Sequence, residues 1–223
     1  MGFGGVFSAP LDAASNRSWA SFSLYSSDGV FAMKLLIHLA EFSEEQSIVG
    51  KLVMAYGEFE FNVAKLIAHA IGDDDNGARI FFRIHGEGPR LDVADAIVRP
   101  FFERMNLVGQ WSCAFGALRY CKDVRNQYAH CQWYSDRGLT FANIERDAKS
   151  PEGVLTVQLY PIDLNLLQKQ QTYFEYANDW LHFLDCRCRK ATGQESPDPP
   201  IPKSIPQPPK HNRPKTPPAQ PSC

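Results

Sequence analysis

The sequence predicts a mainly α-helical bundle that carries a small antiparallel β insertion and ends in a disordered, proline-rich C-terminal tail. Apolar residues recur at helical spacing over four long stretches of the 223-residue chain, and a stretch of alternating apolar residues interrupts them. Such spacing gives each helix an apolar face that must pack against another element. Eleven of the 16 prolines fall in residues 191–223, and this composition buries too little apolar surface to offset the entropy of ordering. We therefore expect a flexible N-terminal arm at residues 1–27, one helical domain at 28–190 and the tail at 191–223.

The first half of the domain is predicted to hold four helices. Their apolar spacing places them at about residues 28–40, 43–71, 78–85 and 91–105. The long second helix begins with Ser43 and Gln46, which have the spacing of a capping box. The aspartate-rich run 72–77 predicts a solvated turn, because it lacks the alternation and the closing glutamate of a calcium loop. Pro100 is expected to kink or divide the fourth helix, since proline has no backbone N–H to donate.

The second half is predicted to hold two more long helices with the β insertion between them. The helices are placed at about residues 110–130 and 164–190, and the insertion, at about 132–160, holds candidate strands at 132–135, 139–144 and 154–160. The loop between the first two strands ends in Gly138, which can adopt a positive φ. Pro161 and Asp163 mark the start of the last helix.

The charge balance excludes a general polyanion binder. The chain has 23 Lys and Arg against 25 Asp and Glu, and without the tail the net charge of the body is −4. Binding of polyanions in general requires a broad positive surface. Any contact with a nucleic acid must therefore come from a local site.

The sequence also argues against a membrane protein and against a metal-binding protein. No apolar run approaches the roughly 18 residues that cross a bilayer, and the N-terminus lacks the charged and apolar segments of a signal peptide. The six cysteines show neither paired C-x-x-C spacing nor the framework of a small disulfide-rich domain. His182 and Cys186 share a helix face, but no second half of a metal site accompanies them. We expect a reduced, cytoplasmic protein without membrane contact, cofactor or metal.

The stretch 122–130, Lys-Asp-Val-Arg-Asn-Gln-Tyr-Ala-His, is the most informative part of the chain. Arg125 falls seven residues after Leu118, on the apolar stripe of its helix, so its guanidinium must be paired or face a wet cleft. Asn126 and His130 are four residues apart and share a face. Arg125 and His130 are about 140° apart on an ideal helix. They converge only through long side-chain reach, a helix that loosens near His130, or a second copy of the chain.

Residues 125–130, Arg-Asn-Gln-Tyr-Ala-His, resemble the signature of the HEPN family (higher eukaryotes and prokaryotes nucleotide-binding domains). That signature is an arginine, a polar residue, three further residues and a histidine near the end of a late helix in an all-helical bundle. The likeness covers about residues 43–190, although only these six residues are diagnostic. Many HEPN proteins are metal-independent endoribonucleases, often toxins or antiviral effectors.

The resemblance implies a homodimer in which Arg/His sets from two protomers form one cleft for RNA, with an antitoxin or another protein as a further partner. Arg125 would hold the scissile phosphate, His130 would exchange the proton of the ribose 2′-hydroxyl, and Asn126 would orient one of them. The chemistry is plausible at neutral pH, because imidazole titrates near 6.5 and guanidinium matches phosphate. Supporting candidates are Asp123, Tyr128, Glu58 and Glu60. Candidates for a basic rim that contacts RNA are Arg83, Arg119 and Lys122, together with Arg79 and Arg90, whose charges fit an ordinary solvated surface slightly better.

Two other interpretations remain open. The family also contains non-catalytic members, so the chain is alternatively a HEPN-like scaffold that binds a nucleotide or a protein. From the residues alone, a structural helix end is the favoured interpretation of the motif, with His130 near the last carbonyls and Arg125 paired with Glu58 or Glu60. The tail is interpreted first as a linker or spacer, and only secondarily as a segment that docks on a partner or RNA.

Overall fold

The computed structural model describes residues 39–135, 138–144, 147, 149 and 157–212. These residues belong to one compact unit, Leu36–Cys223. The expected N-terminal arm at 1–27 and most of the helix expected at 28–40 lie outside the described residues, as do residues 213–223 of the tail.

Five helices and one three-stranded antiparallel sheet make up the described part of the chain. The helices are α1 Ser43–Ile71, α2 Asp74–Arg83, α3 Glu87–Arg104, α4 Val108–Ala129 and α5 Leu164–Ala191. The strands are β1 Gln132–Tyr134, β2 Thr140–Ala142 and β3 Tyr160–Pro161, in the order β1-β2-β3. The predicted fold class, mainly helical with a small antiparallel insertion, is therefore confirmed. None of the described helices is long and apolar enough to cross a membrane.

Helix α1 lies at the centre of the bundle and contacts each of the other four helices. Its apolar stripe explains this position, because Val63, Leu66 and Ile67 are fully buried. Helix α4 packs against α1, α3 and α5. Both helices therefore owe their stability to tertiary burial more than to intrinsic helix propensity.

Helix boundaries differ from the predicted ones where local signals compete. The N-cap of α1 is Phe42 and makes no side-chain cap bond, so Ser43 already lies inside the helix and the predicted capping box is wrong. The aspartate-rich turn instead caps the next helix, since the Asp73 side chain accepts from the backbone N–H of Asn76. Asp163 caps α5 in the same way through Leu166, as predicted.

Helix α3 runs without interruption through Pro100, so the predicted division is wrong. Val98 and Phe102 on either side of the proline are fully buried, and the Phe102 ring packs 5.8 Å from that of Trp111. This packing holds the helix although the proline removes one of its hydrogen bonds.

The sheet is joined to the motif helix by aromatic packing. The Tyr128 ring on α4 lies 5.7 Å from that of Trp133 and 5.9 Å from that of Phe141, which in turn stacks on Tyr160 at 5.4 Å. Gly138 has a φ of 124°, which confirms the turn glycine. The third strand was predicted too early, because 157–159 form no strand and 154–156 lie outside the described residues.

The C-terminal segment, predicted to be part of a disordered tail, has no helix or strand over residues 194–212. It nevertheless contacts the body. Ile205 packs against the core, and the backbone N–H of Asn212 donates to the carbonyl of Pro161. These contacts were not predicted from the composition.

Candidate functional site

Helix α4 ends at the motif. Its last helical residue is Ala129, and His130 is the C-cap, with its backbone N–H donating to the carbonyl of Asn126. His130 is exposed, and its imidazole makes no hydrogen bond or ion pair with the residues that the structure describes. The helix therefore presents this imidazole to solvent at the point where the backbone leaves the helical path.

The Arg125 guanidinium is held by two acceptors. Its Nη1 donates to Glu87 Oε1 at 2.6 Å and to Asn126 Oδ1 at 2.9 Å. The two charged side chains are 29% and 21% exposed, and the buried atoms Arg125 Nε and Glu87 Oε2 have no partner within the described part of the chain. A half-buried guanidinium needs such a partner because it cannot lose its proton.

The ring of Tyr56 on α1 packs against the guanidinium of the Arg125–Glu87 ion pair. Its ring centre lies 5.9 Å from the guanidinium carbon of Arg125, a distance suited to cation–π attraction. Burial raises the pKa of the Tyr56 hydroxyl, and the nearby charges of Glu87 and Glu60 raise it further. The hydroxyl therefore stays protonated at neutral pH and can act there only as a neutral donor.

Neither acidic partner suggested for Arg125 is the one found. Glu60 instead forms an ion pair with Arg90, whose guanidinium also donates to the carbonyl of Ile84. Glu58 lines clefts between α1 and α5 together with Asn178. The partner is Glu87, at the start of α3, a residue that sequence reasoning placed in a break between helices. A glycine at the cap position followed by a proline in the first turn, as in Gly86 and Pro89, could have predicted that a helix begins at Glu87.

Two of the supporting candidates face away from Arg125. Tyr128 is buried, and its hydroxyl donates to Gln170 Oε1 at 2.6 Å. Asp123 accepts from Lys210 at 2.7 Å and lies 3.4 Å from the ammonium of Lys122. These two residues connect α4 to α5 and to the C-terminal segment, so their roles here are structural.

The candidate basic rim is largely neutralised. Arg119 pairs with Asp92, Lys122 with Asp123, and Arg90 with Glu60. Arg83 and Arg79 are exposed and form no ion pair with a described residue. Among Arg83, Arg119 and Lys122, Arg83 at the end of α2 is therefore the residue with no ion-pair partner in the described part of the chain.

The thiol beside the motif is not a nucleophile. Cys131 follows His130 directly, but burial raises its pKa to about 12, and its Sγ contacts the carbonyl oxygen of Tyr128. The five described cysteines are all free. No group of three or more His, Cys, Asp or Glu side chains in the described residues is placed to hold a metal ion.

A second ionic cluster lies towards the C-terminal ends of α1 and α5. His69 Nε2 is 2.9 Å from Asp185 Oδ1, and Arg189 is 2.9 Å from the other oxygen of the same carboxylate. Burial alone would raise the pKa of Asp185, but the hydrogen bond from His69 and the charge of Arg189 bring it below its usual value. The cluster borders a cleft of about 550 Å³ that Phe61 and Lys65 also line. Sequence reasoning missed this cluster because its members are far apart in the chain.

The chain matches no family model, no curated protein and no solved structure. The HEPN resemblance therefore rests on the six residues 125–130 and on the helical context in which they lie.

Proposed function

We propose that the protein is a metal-independent endoribonuclease of the HEPN type that acts as a homodimer. The observation that carries the proposal is the end of α4. There a guanidinium is oriented by Glu87 and Asn126, and the imidazole of His130 is exposed and unpaired among the described residues. This arrangement supplies one group that matches a phosphate and one that exchanges protons near neutral pH.

The reaction needs no enzyme nucleophile. The ribose 2′-oxygen attacks the adjacent phosphorus as His130 takes its proton, and the P–O5′ bond breaks as the leaving oxygen gains a proton. The products are a 2′,3′-cyclic phosphate and a 5′-hydroxyl. Each described hydrogen bond of Arg125 uses Nη1, so Nη2 remains for a phosphate oxygen that gains charge in the transition state.

A toxin or defence role follows from the same resemblance. An RNA-cleaving enzyme of this kind acts in the cytoplasm, and its activity would have to be restrained by an antitoxin or another protein partner. Arg83 extends the proposed RNA path, because its charge has no acidic partner among the described residues.

A non-catalytic scaffold is the second candidate, and the Glu87 contact favours it. Glu87 occupies the guanidinium that would bind phosphate, and the body of the chain is acidic. In that case Arg125 ties α3 to α4, and the surface of the bundle binds a nucleotide or a protein.

Cleavage assays with purified full-length chain separate the two functions. We expect cleavage of single-stranded RNA in EDTA, with a loss of at least 100-fold in rate in both Arg125→Ala and His130→Ala. This loss is typical of a missing acid–base group, as proposed for His130, and of a missing donor to the developing charge, as proposed for Arg125. His85→Ala is the matched control, since His85 is also exposed and without a described partner. Circular dichroism checks that each variant is folded. Intact RNA with the wild-type chain across varied substrates, or equal loss in His85→Ala, would contradict the nuclease.

A further inference from the structure

The C-terminal segment returns along α5 towards the start of that helix. Asp198 pairs with Lys190 and Arg187 near the helix end, whereas the carbonyls of Pro209 and Lys210 meet Gln170 near its beginning. Arg187 and Gln170 are about 26 Å apart along the helix axis. The segment therefore spans most of α5.

Its contacts are concentrated at two ends. Residues 199–204 make no hydrogen bond or ion pair with the described residues, and most of them are exposed. By contrast, Pro208 is buried, and Pro209, Lys210 and Asn212 each bond to the body. Residues 199–204 therefore act as a linker, and residues 208–212 bind to the body as a separate short peptide would.

Gln170 is a buried amide whose nitrogen donates to this segment. It is 0% exposed, the one polar residue among the described ones that is classed as buried. Its Nε2 donates to the carbonyls of Pro209 at 3.0 Å and Lys210 at 3.2 Å, and its Oε1 accepts from the Tyr128 hydroxyl. A buried amide without these acceptors would leave its donors unsatisfied. The carbonyls of two consecutive residues complete its hydrogen bonding.

Helix α4 contacts Lys210 through two side chains. Asp123 Oδ2 lies 2.7 Å from the Lys210 ammonium, and Gln127 Nε2 donates to the Lys210 carbonyl at 2.8 Å. The Tyr120 hydroxyl contacts the carbonyl of Pro209 at 3.4 Å. Proline has no N–H to satisfy, so a groove that offers mainly donors suits a proline-containing chain.

We propose that the groove between α4 and α5 is a peptide-binding site for a Pro-Pro-Lys segment, which this chain fills with its own residues 208–210. The site recognises two consecutive carbonyls through Gln170 and the lysine through Asp123. Because the tether raises the local concentration of the segment, the groove is occupied in the full chain and opens when the segment is removed. The proposal does not depend on the ribonuclease activity.

A chain that ends at Pro202 tests the groove with a fluorescent peptide of residues 203–212. We expect saturable binding to this shortened chain and at least tenfold weaker binding to the full chain, whose own segment competes. A peptide with Lys210→Glu should bind at least tenfold more weakly, whereas one with Lys203→Glu should bind unchanged, since Lys203 is exposed and has no described contact. Failure of the peptide to bind the folded shortened chain, or equal binding of the two peptide variants, would overturn the proposal.

The full-length chain gives a second measurement that does not require the shortened chain to fold. The Asn212 amide donates to the carbonyl of Pro161, so its hydrogen exchange reports docking. We expect Lys210→Glu to speed that exchange at least tenfold and Lys203→Glu to leave it unchanged. Equal exchange in the two variants would mean that Lys210 does not hold the segment, and the proposal would fail.

Discussion

Arg125 is accommodated in a half-buried position because Glu87 and Asn126 both accept from its Nη1. For the partly buried Arg125–Glu87 pair, the free energy gained by forming the pair differs from the free energy lost by removing one partner. Forming such a pair adds little net stability, because both groups lose water, but removing one partner leaves the other charge uncompensated. The contribution of Glu87 is therefore best measured by a substitution that keeps its shape and removes its charge.

We predict that Glu87→Gln lowers the free energy of unfolding by about 1.5–3 kcal/mol, the range for hydrogen bonds that involve charged groups. Asp92→Asn is the matched control, because it removes the partner of Arg119 from a pair that is 55% and 63% exposed. Exposed pairs contribute only about 0–1 kcal/mol. Urea unfolding of the two variants gives the comparison, and equal losses would show that the Arg125 pair is no more buried in solution than the Arg119 pair.

Ionisation of Asp185 should contribute to the pH dependence of the free energy of unfolding. Its pKa in the folded chain is below the usual 3.8, so the folded state favours the ionised form. The resulting stability is present above pH 3.8 and is lost as the pH falls through the lower, folded-state pKa. We predict that Asp185→Asn is less stable than wild type at pH 7 and that this difference shrinks below pH 3.8. Thermal unfolding over pH 2–7 measures it, and a difference that stays constant with pH would contradict the assignment.

At the scale of elements, α1 and α2 approach closely at one glycine. A Cβ added to Gly77 would lie 2.6 Å from the Ala68 Cβ and 2.7 Å from Ala68 backbone atoms. Backbone atoms cannot move aside as the end of a flexible side chain can, so only glycine fits at this crossing. Gly77 lies in the first turn of α2, which begins at Asp74, so the close approach is at the point where α2 folds back on α1.

We predict that Gly77→Ala destabilises the fold by about 1–3 kcal/mol through overpacking. Gly57→Ala in α1 is the matched control, because a Cβ there meets nothing within 4 Å and alanine is the better helix former. That variant should be as stable as wild type or more stable, by up to about 1 kcal/mol. Chemical denaturation measures both, and a Gly77→Ala chain as stable as Gly57→Ala would refute the close crossing.

The amphipathic helices were predictable because their apolar stripes directly encode the faces that α1, α4 and α5 bury. Helix starts were less predictable where two signals compete. Ser43 has the spacing of an N-cap, but the N-cap of α1 is Phe42. Within α3, Pro100 was expected to interrupt the helix, but the helix continues because residues on either side of the proline are buried. Local propensity gives way to tertiary packing in both cases.

The candidate site was predictable only in part, for the same physical reason. The position of Arg125 on an apolar stripe correctly required a partner, but the partner's identity depends on how α3 approaches α4. That approach brings Glu87 to the guanidinium and leaves Glu60 with Arg90. Likewise, the proline content led to the prediction of a disordered tail, whereas the buried Gln170 that binds residues 209 and 210 carries no local signal.

At the scale of the whole molecule, α4 contributes residues to both of the proposed sites. Asp123 and Gln127 bind the C-terminal segment, while Asn126 and His130 lie on the adjoining part of the helix surface, since these residues are three to four positions apart. Arg125 points instead towards α1 and α3. Under the proposed homodimer, a two-fold interface would bring the Arg125 and His130 side chains of the two protomers into one cleft.

Co-expressed Arg125→Ala and His130→Ala chains test that arrangement. If the cleft is composite, a mixed dimer retains one Arg125 and one His130, so we predict partial recovery of RNA cleavage in EDTA, above the level of either variant alone. The physical reason is that a two-fold interface places equivalent residues of the two protomers together. Different affinity tags allow the mixed dimer to be purified, and a mixture of two differently tagged Arg125→Ala chains is the control for carry-over. A purified mixed dimer with no more activity than that control would exclude a site shared between protomers, and a chain that remains monomeric at all concentrations would exclude it as well.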